Sequence, residues 1–322
     1  MKKIGVIGPG AIGRLFAFFL ASAGHDVLLV CRREAQAKAF SEQGLTYVDL
    51  EGRAHHLAVE ATTGGSERLA EAHGVIVTVK SYDTAAAARQ IGALNRKVPV
   101  LSLQNGLGNA QTLARDVAQE QIAVALTTHG AIAEGEAKVW HKGRGQTVIG
   151  AIEAGSEVAD WWADVLASCA PVITPSAEIQ REIWRKAMVN IGINPFTALL
   201  GVKNGQLLRE PDVLPLMRAA VEEAEAVAKL AGVELSDSME RVLDVCRHTA
   251  ENTSSMLQDV RLGRRTEIDA MCGVIVQIAE AAGLSVPHNL FLKNFIKKCE
   301  TNRFELTSLE LKRLFEAFRA DL

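Results

Sequence analysis

Lys186, Asn190 and Asn194 stand four residues apart in WRKAMVNIGINP (184–195), an otherwise largely apolar stretch. At about 100° per residue on a helix, they form one narrow polar stripe. Ile183 and Ala187 border the stripe, and Arg181 and Arg185 fall on another face. An ammonium and two amides set into an apolar wall suit recognition of a polar ligand. Pro195 lacks an N–H and its ring disturbs a helix, so a kink is expected there, with the Ile191 carbonyl left without its usual partner. The spacing also fits a surface lysine with asparagines capping a frayed end. Further on, Thr266-Glu267-Ile268-Asp269 has the spacing of a capping box that opens a helix. Glu267 is then either an acid well placed at a positive helix end or a carboxylate that partners Lys186 and grips a substrate hydroxyl.

The N-terminal region carries a second kind of chemistry. Gly8-Pro9-Gly10-Ala11-Ile12-Gly13 is G-x-G-x-x-G, lying between an apolar strand and an apolar helix. In that context Gly8 permits a tight turn, Gly10 lets a pyrophosphate approach the backbone, and Gly13 lets helix and strand pack closely. The first helical turn, from Ala11 and Ile12 onward, offers N–H groups to the phosphates. The second strand ends in Cys31-Arg32-Arg33 where an NAD site usually places an acid. Guanidiniums suit a 2′-phosphate, so NADPH is expected over NADH, with Arg32 as its partner. Arginines merely solvated at a helix start satisfy the same pattern. Lys80, ending VIVTVK, and Asn105, in the Gln104-Asn105-Gly106 turn, close two more strands on the edge where such sheets bind ligands.

Alternating strand and helix patterns fill the first half: strands at 2–8, 25–31, 74–80 and 98–106, then 122–130, 138–143 and 146–150, with an inserted hairpin over 45–59. This predicts a parallel sheet covered on both faces, a Rossmann-type dinucleotide-binding α/β domain over residues 1–175. Helical periodicity then takes over at 177–200, 211–231, 237–250, 266–282 and 288–300, predicting an all-α domain over residues 176–322. A cleft between two such domains would give the polar stripe something to face.

The chain has 322 residues, ample for two cores, with a formal net charge of −3. That charge argues against a nucleic-acid or anionic-membrane partner, and no basic stripe with interleaved aromatics is visible. Five dispersed cysteines without a C-x-x-C pair argue against a disulfide framework or zinc site and suit a reducing cytoplasm. Lys2-Lys3 followed by an apolar run and Ala21-Ser22-Ala23 mimics a secretory signal, but Gly8, Pro9, Gly10, Gly13 and Arg14 interrupt it. His129 and the His55-His56 pair read as ordinary strand and hairpin residues, and no metal-ligand cluster is visible.

Taken together, GPGAIG, the arginine after the second strand, VTVKSYD, SLQNGLG, TTHGA, WRKAMVNIGINPFTAL, KNGQL, ENTSSMLQD and RRTEID resemble the ketopantoate reductase (2-dehydropantoate 2-reductase) family over nearly the whole chain. The resemblance implies NADPH-dependent reduction of a 2-keto acid, ketopantoate, to pantoate in pantothenate biosynthesis. It implies Lys186 as general acid and Glu267 as a contact to substrate and cofactor. Asn105 and Lys80 match positions near cofactor and substrate. Asn190, Asn194, Asn204, Asn252 and Ser255 match positions in or near the substrate pocket. A small-molecule substrate and a monomer or homodimer are expected. Two rivals remain open: a reductase of another 2-keto acid on the same fold, and a dinucleotide-binding sensor without turnover.

Overall fold

The computed structural model describes residues 1–64, 66–169 and 172–321. The chain divides into two compact units. One comprises Met1–Asn105 and Asn109–Ile179; the other comprises Gly106–Gly108 and the chain from Gln180 onward.

The first unit begins β1 (Lys3–Ile7), α1 (Ala11–Ser22), β2 (Asp26–Val30), α2 (Glu34–Gln43), then a hairpin of β3 (Leu45–Val48) and β4 (Ala54–Leu57). It continues with β5 (Glu60–Thr62), α3 (Ser66–Leu69), β6 (Gly74–Val77), α4 (Thr84–Gly92), β7 (Val100–Ser102) and α5 (Asn109–Leu113). Last come β8 (Ile122–Thr127), β9 (Gly130–Glu134), β10 (Lys138–Gly143), β11 (Thr147–Ala151), α6 (Val158–Ala167) and β12 (Ile173–Pro175). Eight strands form one sheet in the order β12-β11-β8-β7-β6-β1-β2-β5. Its centre is parallel and nearly all buried, with Ile4, Val6, Leu28, Leu29, Val75 and Ile76 inaccessible. This is the Rossmann-type arrangement expected from alternating strands and helices.

Two features depart from that expectation. β11 runs antiparallel to β8, so the sheet is mixed. The hairpin and β10 do not extend it either: they build a second sheet in the order β4-β3-β10-β9, with Thr46 paired to Lys138. The reason lies in α1. Every residue from Gly13 to Leu20 is buried, all but Arg14 of them apolar or glycine, so this helix needs cover on more than one side. Phe16, Phe18 and Phe19 share a cluster with Tyr47 and Val139 of the second sheet.

The second unit is helical: α7 (Ile179–Leu200), α8 (Leu214–Leu230), α9 (Ser238–His248), α10 (Ser255–Arg261), α11 (Cys272–Ala282), α12 (Pro287–Asn302) and α13 (Ser308–Ala320). α13 lies beyond the helices expected from periodicity. α7 runs through the core, burying Trp184, Met188, Ile191, Phe196 and Leu199. A Cβ on Gly192 would stand 2.8 Å from Val242 of α9, so a small residue lets the helices approach there.

α7 continues without a break through Pro195, as one helix from Ile179 to Leu200. A proline inside a helix costs ~3 kcal/mol locally, and burial of apolar groups on both sides of Pro195 opposes that cost. The expected capping box at Thr266 is absent. α11 starts at Cys272, after a single tight turn over Ile268–Ala270. Asp269 is drawn away to Lys297 at 2.6 Å and Arg265 at 3.1 Å, so it cannot reach back to Thr266.

Candidate active site

The glycine turn follows β1 directly. Gly8 has φ +84°, and a Cβ there would stand 2.4 Å from the Val79 side chain and 2.8 Å from its backbone nitrogen. A Cβ on Gly13 would stand 2.4 Å from Thr78 Oγ1 and 2.9 Å from the Gly8 carbonyl oxygen. Both glycines are therefore demanded by the protein itself. Gly10 differs. Its φ is −75°, open to any residue, and a Cβ would meet nothing nearer than 3.9 Å. No internal packing asks for glycine there, so the open space suits a group approaching from outside. Gly10 offers no side-chain acceptor to the first turn of α1, whose N–H groups at Ala11, Ile12 and Gly13 lie at a positive helix end. The residues present fit a dinucleotide pyrophosphate.

Several side chains that sequence reasoning passed over hold this turn. Thr78 donates to the Gly8 carbonyl at 2.7 Å, and β6 ends at Val77, short of Lys80. Arg14, a charge inside an apolar helix, is 3% exposed. It donates to the Pro9 carbonyl at 2.9 Å and to the Lys138 carbonyl at 2.7 Å, tying the turn to the second sheet. A charge in an apolar run was the available signal, because a buried cation must find acceptors. Gln104 donates to the Val79 carbonyl at 2.9 Å and to Thr84 Oγ1 at 2.8 Å. Thr84 donates to Asn109 Oδ1 at 2.9 Å, and Asn109 donates to the Asn105 carbonyl at 2.8 Å. This chain fixes the backbone around Lys80 and Asn105 together, where β6 and β7 end.

The two candidate arginines part company. Arg33 is held by both oxygens of Glu136, at 2.6 Å each, and is withdrawn from ligand duty. Arg32 stays largely exposed, with Nη1 3.3 Å from Asp83 Oδ2.

The second unit holds the other candidates. Lys186 is partly buried on α7, and Glu267 is 5% exposed. Burial pushes the Lys186 ammonium down from the ordinary lysine value to about 8, and the Glu267 carboxylate offsets part of that fall. The residues on either side of Glu267 are anchored. Thr266 donates its N–H and hydroxyl to Glu300 Oε1 at 2.9 and 2.6 Å, and Asp269 accepts from Lys297 at 2.6 Å. Asn190 continues the stripe and is partly buried; Asn194 is 7% exposed and donates to Met271 Sδ at 3.9 Å.

Asn204 is buried and structural in its contacts: its amide donates to Thr249 Oγ1 at 2.9 Å, and its N–H donates to the Asn252 carbonyl at 3.1 Å. The Asn252 side chain is exposed, as is Ser255 at the start of α10. Ser254, not Ser255, caps that helix, accepting from Leu257 N–H at 3.1 Å and from Thr197 at 2.7 Å. Among the described residues no group of three His, Cys, Asp or Glu side chains could hold a metal ion, and no helix is long and apolar enough to cross a membrane.

A family model described as ketopantoate reductase PanE/ApbA matches residues 4–154, and one for ketopantoate reductase PanE/ApbA C terminal matches residues 178–300. The chain belongs to the ketopantoate reductase family. A relative, the 2-dehydropantoate 2-reductase of Halobacterium salinarum, is 38% identical over 88% of this chain and 94% of its own. The solved PanE/ApbA family ketopantoate reductase from Ralstonia eutropha matches with TM-score 0.85 at 31% identity, over 92% of this chain and 98% of that one. D-mandelate dehydrogenase, solved in ternary form with NADH and anilino(oxo)acetate, matches with TM-score 0.87 at 26% identity, over the same shares, 92% and 98%. Membership of the ketopantoate reductase family makes this protein an oxidoreductase with a dinucleotide cofactor.

Proposed function

We propose that the protein reduces 2-dehydropantoate (ketopantoate) to pantoate with NADPH, a step of pantothenate biosynthesis. The observation that carries this reading is Lys186, partly buried on α7 and under the influence of the buried Glu267 carboxylate, with burial lowering its ammonium to about 8. Several relatives named 2-dehydropantoate 2-reductase align along most of their length, which supports the choice of substrate.

We assign the dinucleotide to residues 1–175 and the substrate chemistry to residues 176–322. Gly8, Gly10 and Gly13 shape the phosphate turn, Ala11 and Ile12 offer N–H groups, and Arg32 meets the 2′-phosphate. Lys80 and Asn105 serve the nicotinamide end. When bound, the dinucleotide supplies the hydride that the C2 ketone receives. Lys186 polarises that ketone and gives its Nζ proton to the oxygen as negative charge grows there. Glu267 orients the ammonium, favours its charged form, and accepts from a substrate hydroxyl. Asn190, Asn194 and Ser255 present neutral hydrogen-bonding groups to the α-keto carboxylate. Asn204 and Asn252 lie in or near the substrate pocket and also hold their turn. The free cysteines suit a reducing cytoplasm.

The decisive assay mixes protein, NADPH and ketopantoate and follows nicotinamide absorbance, with NADH and pyruvate as controls. Rapid loss confined to NADPH with ketopantoate is expected. Lys186→Ala should abolish turnover while NADPH still binds; near-normal turnover would remove Lys186 from the mechanism. A second reading, reduction of a different 2-keto acid, draws support from the D-mandelate dehydrogenase likeness. Faster turnover of an aryl keto acid than of ketopantoate would select it.

A further inference from the structure

In the sheet, β2 and β6 lie on either side of β1, which runs into the glycine turn. Arg32 follows β2 and Asp83 follows β6, so the two side chains meet across the end of β1, 3.3 Å apart. The carboxylate of Asp83 has no evident structural task. It precedes α4 but makes no capping hydrogen bond to it. Its partner is 79% exposed, and such ion pairs add little to stability. With Arg33 bound to Glu136, Arg32 is the guanidinium of the pair left to meet a ligand at this edge.

We propose that Asp83 is a specificity-determining residue, restraining the preference for NADPH over NADH through its hold on Arg32. This rests on the reading of Arg32 as the 2′-phosphate partner. A 2′-phosphate is an anion of nearly two charges. To reach Arg32 it must displace the Asp83 carboxylate and then lie beside it, where like charges repel. A 2′-hydroxyl meets no such opposition, because it can donate a hydrogen bond to a carboxylate. Asp83 thus plays, from the far side of β1, part of the role that an acid at the end of β2 plays in NAD sites.

The test is a fluorescence titration of the full-length protein with NADPH and with NADH. Asp83→Asn should tighten NADPH by up to about fivefold and leave NADH unchanged or weaker, the size expected for an exposed charge pair. Asp83→Ser should shift the ratio the same way, guarding against a particular effect of asparagine on the turn. Arg32→Ala should weaken NADPH selectively. If Arg32→Ala is selective but both Asp83 variants leave the NADPH-to-NADH ratio at its wild-type value, Asp83 has no such role and the reading of Arg32 stands. If Arg32→Ala weakens both cofactors alike, the reading of Arg32 fails and the proposal for Asp83 falls with it.

Discussion

Lys186 sits between two opposed influences. Burial disfavours its charge, Glu267 restores part of it, and the balance lies at about 8. A general acid must carry its proton, so kcat should hold steady at neutral pH and fall as pH rises through about 8. Glu267→Gln removes the influence that raises the value, so the falling limb should move to lower pH. A pH–rate profile of both proteins checks this, and an unmoved limb in the variant would separate Glu267 from the proton. Sequence alone named both residues but left each with an ordinary alternative, because spacing carries no information about local solvent.

The turn between β1 and α1 separates two uses of one residue type. Gly13→Ala drives a methyl into Thr78 and the Gly8 carbonyl, an overpacking that costs about 1–3 kcal/mol. Thermal melting should therefore show a lower Tm. Gly10→Ala meets open space, so its Tm should match wild type while NADPH binding weakens about tenfold or more. Unchanged binding by Gly10→Ala would argue against a phosphate at that position. The segment before α11 makes a parallel case. Glu300→Ala frees both hydrogen bonds from Thr266 and should cost about 1–3 kcal/mol in urea unfolding, with kcat falling as Glu267 loses its mooring. Loss of stability with kcat intact would make Glu300 structural alone.

A buried relay ties the second sheet to the connections that lead between the two sheets. Gly145 N–H donates to His129 Nδ1 at 3.2 Å, which fixes that nitrogen as an acceptor. His141 Nε2 then donates to the same atom at 3.0 Å, and the Tyr47 hydroxyl donates to His141 Nδ1 at 3.0 Å. With Nδ1 accepting, the His129 ring is neutral in this arrangement. Burial holds His129 down at about 4 and lowers His141 as well. The unfolded chain takes up these protons at higher pH than the folded one, so stability is full above about 6.5 and declines as pH falls toward about 4. The decline should be on the order of 3 kcal/mol across that window. Denaturant midpoints measured from pH 7 to pH 4 test it, and a His129→Gln protein should show a flatter profile. A wild-type profile already flat would exclude the relay as a source of acid sensitivity.

What could be read from residue order was whatever repeats locally. Alternating strands and helices, the glycine spacing after β1, the stripe on α7 and most of the later helices follow from periods of two and of three to four residues. Contacts between distant segments escaped that reading. β3 and β10 pair across some ninety residues, which period and propensity cannot register, so the second sheet and its cover of α1 were not visible. The antiparallel turn of β11, the unbroken α7 at Pro195 and the diversion of Asp269 to Lys297 depend on neighbours remote in sequence. The same holds for charge: Arg33 is claimed by Glu136 and Arg32 by Asp83, and Lys186 loses its ordinary proton affinity to burial. Residue order determined which groups could do chemistry. Packing decided which of them are engaged elsewhere and how strongly Lys186 holds its proton, because hydrogen bonding and desolvation are properties of neighbours in space.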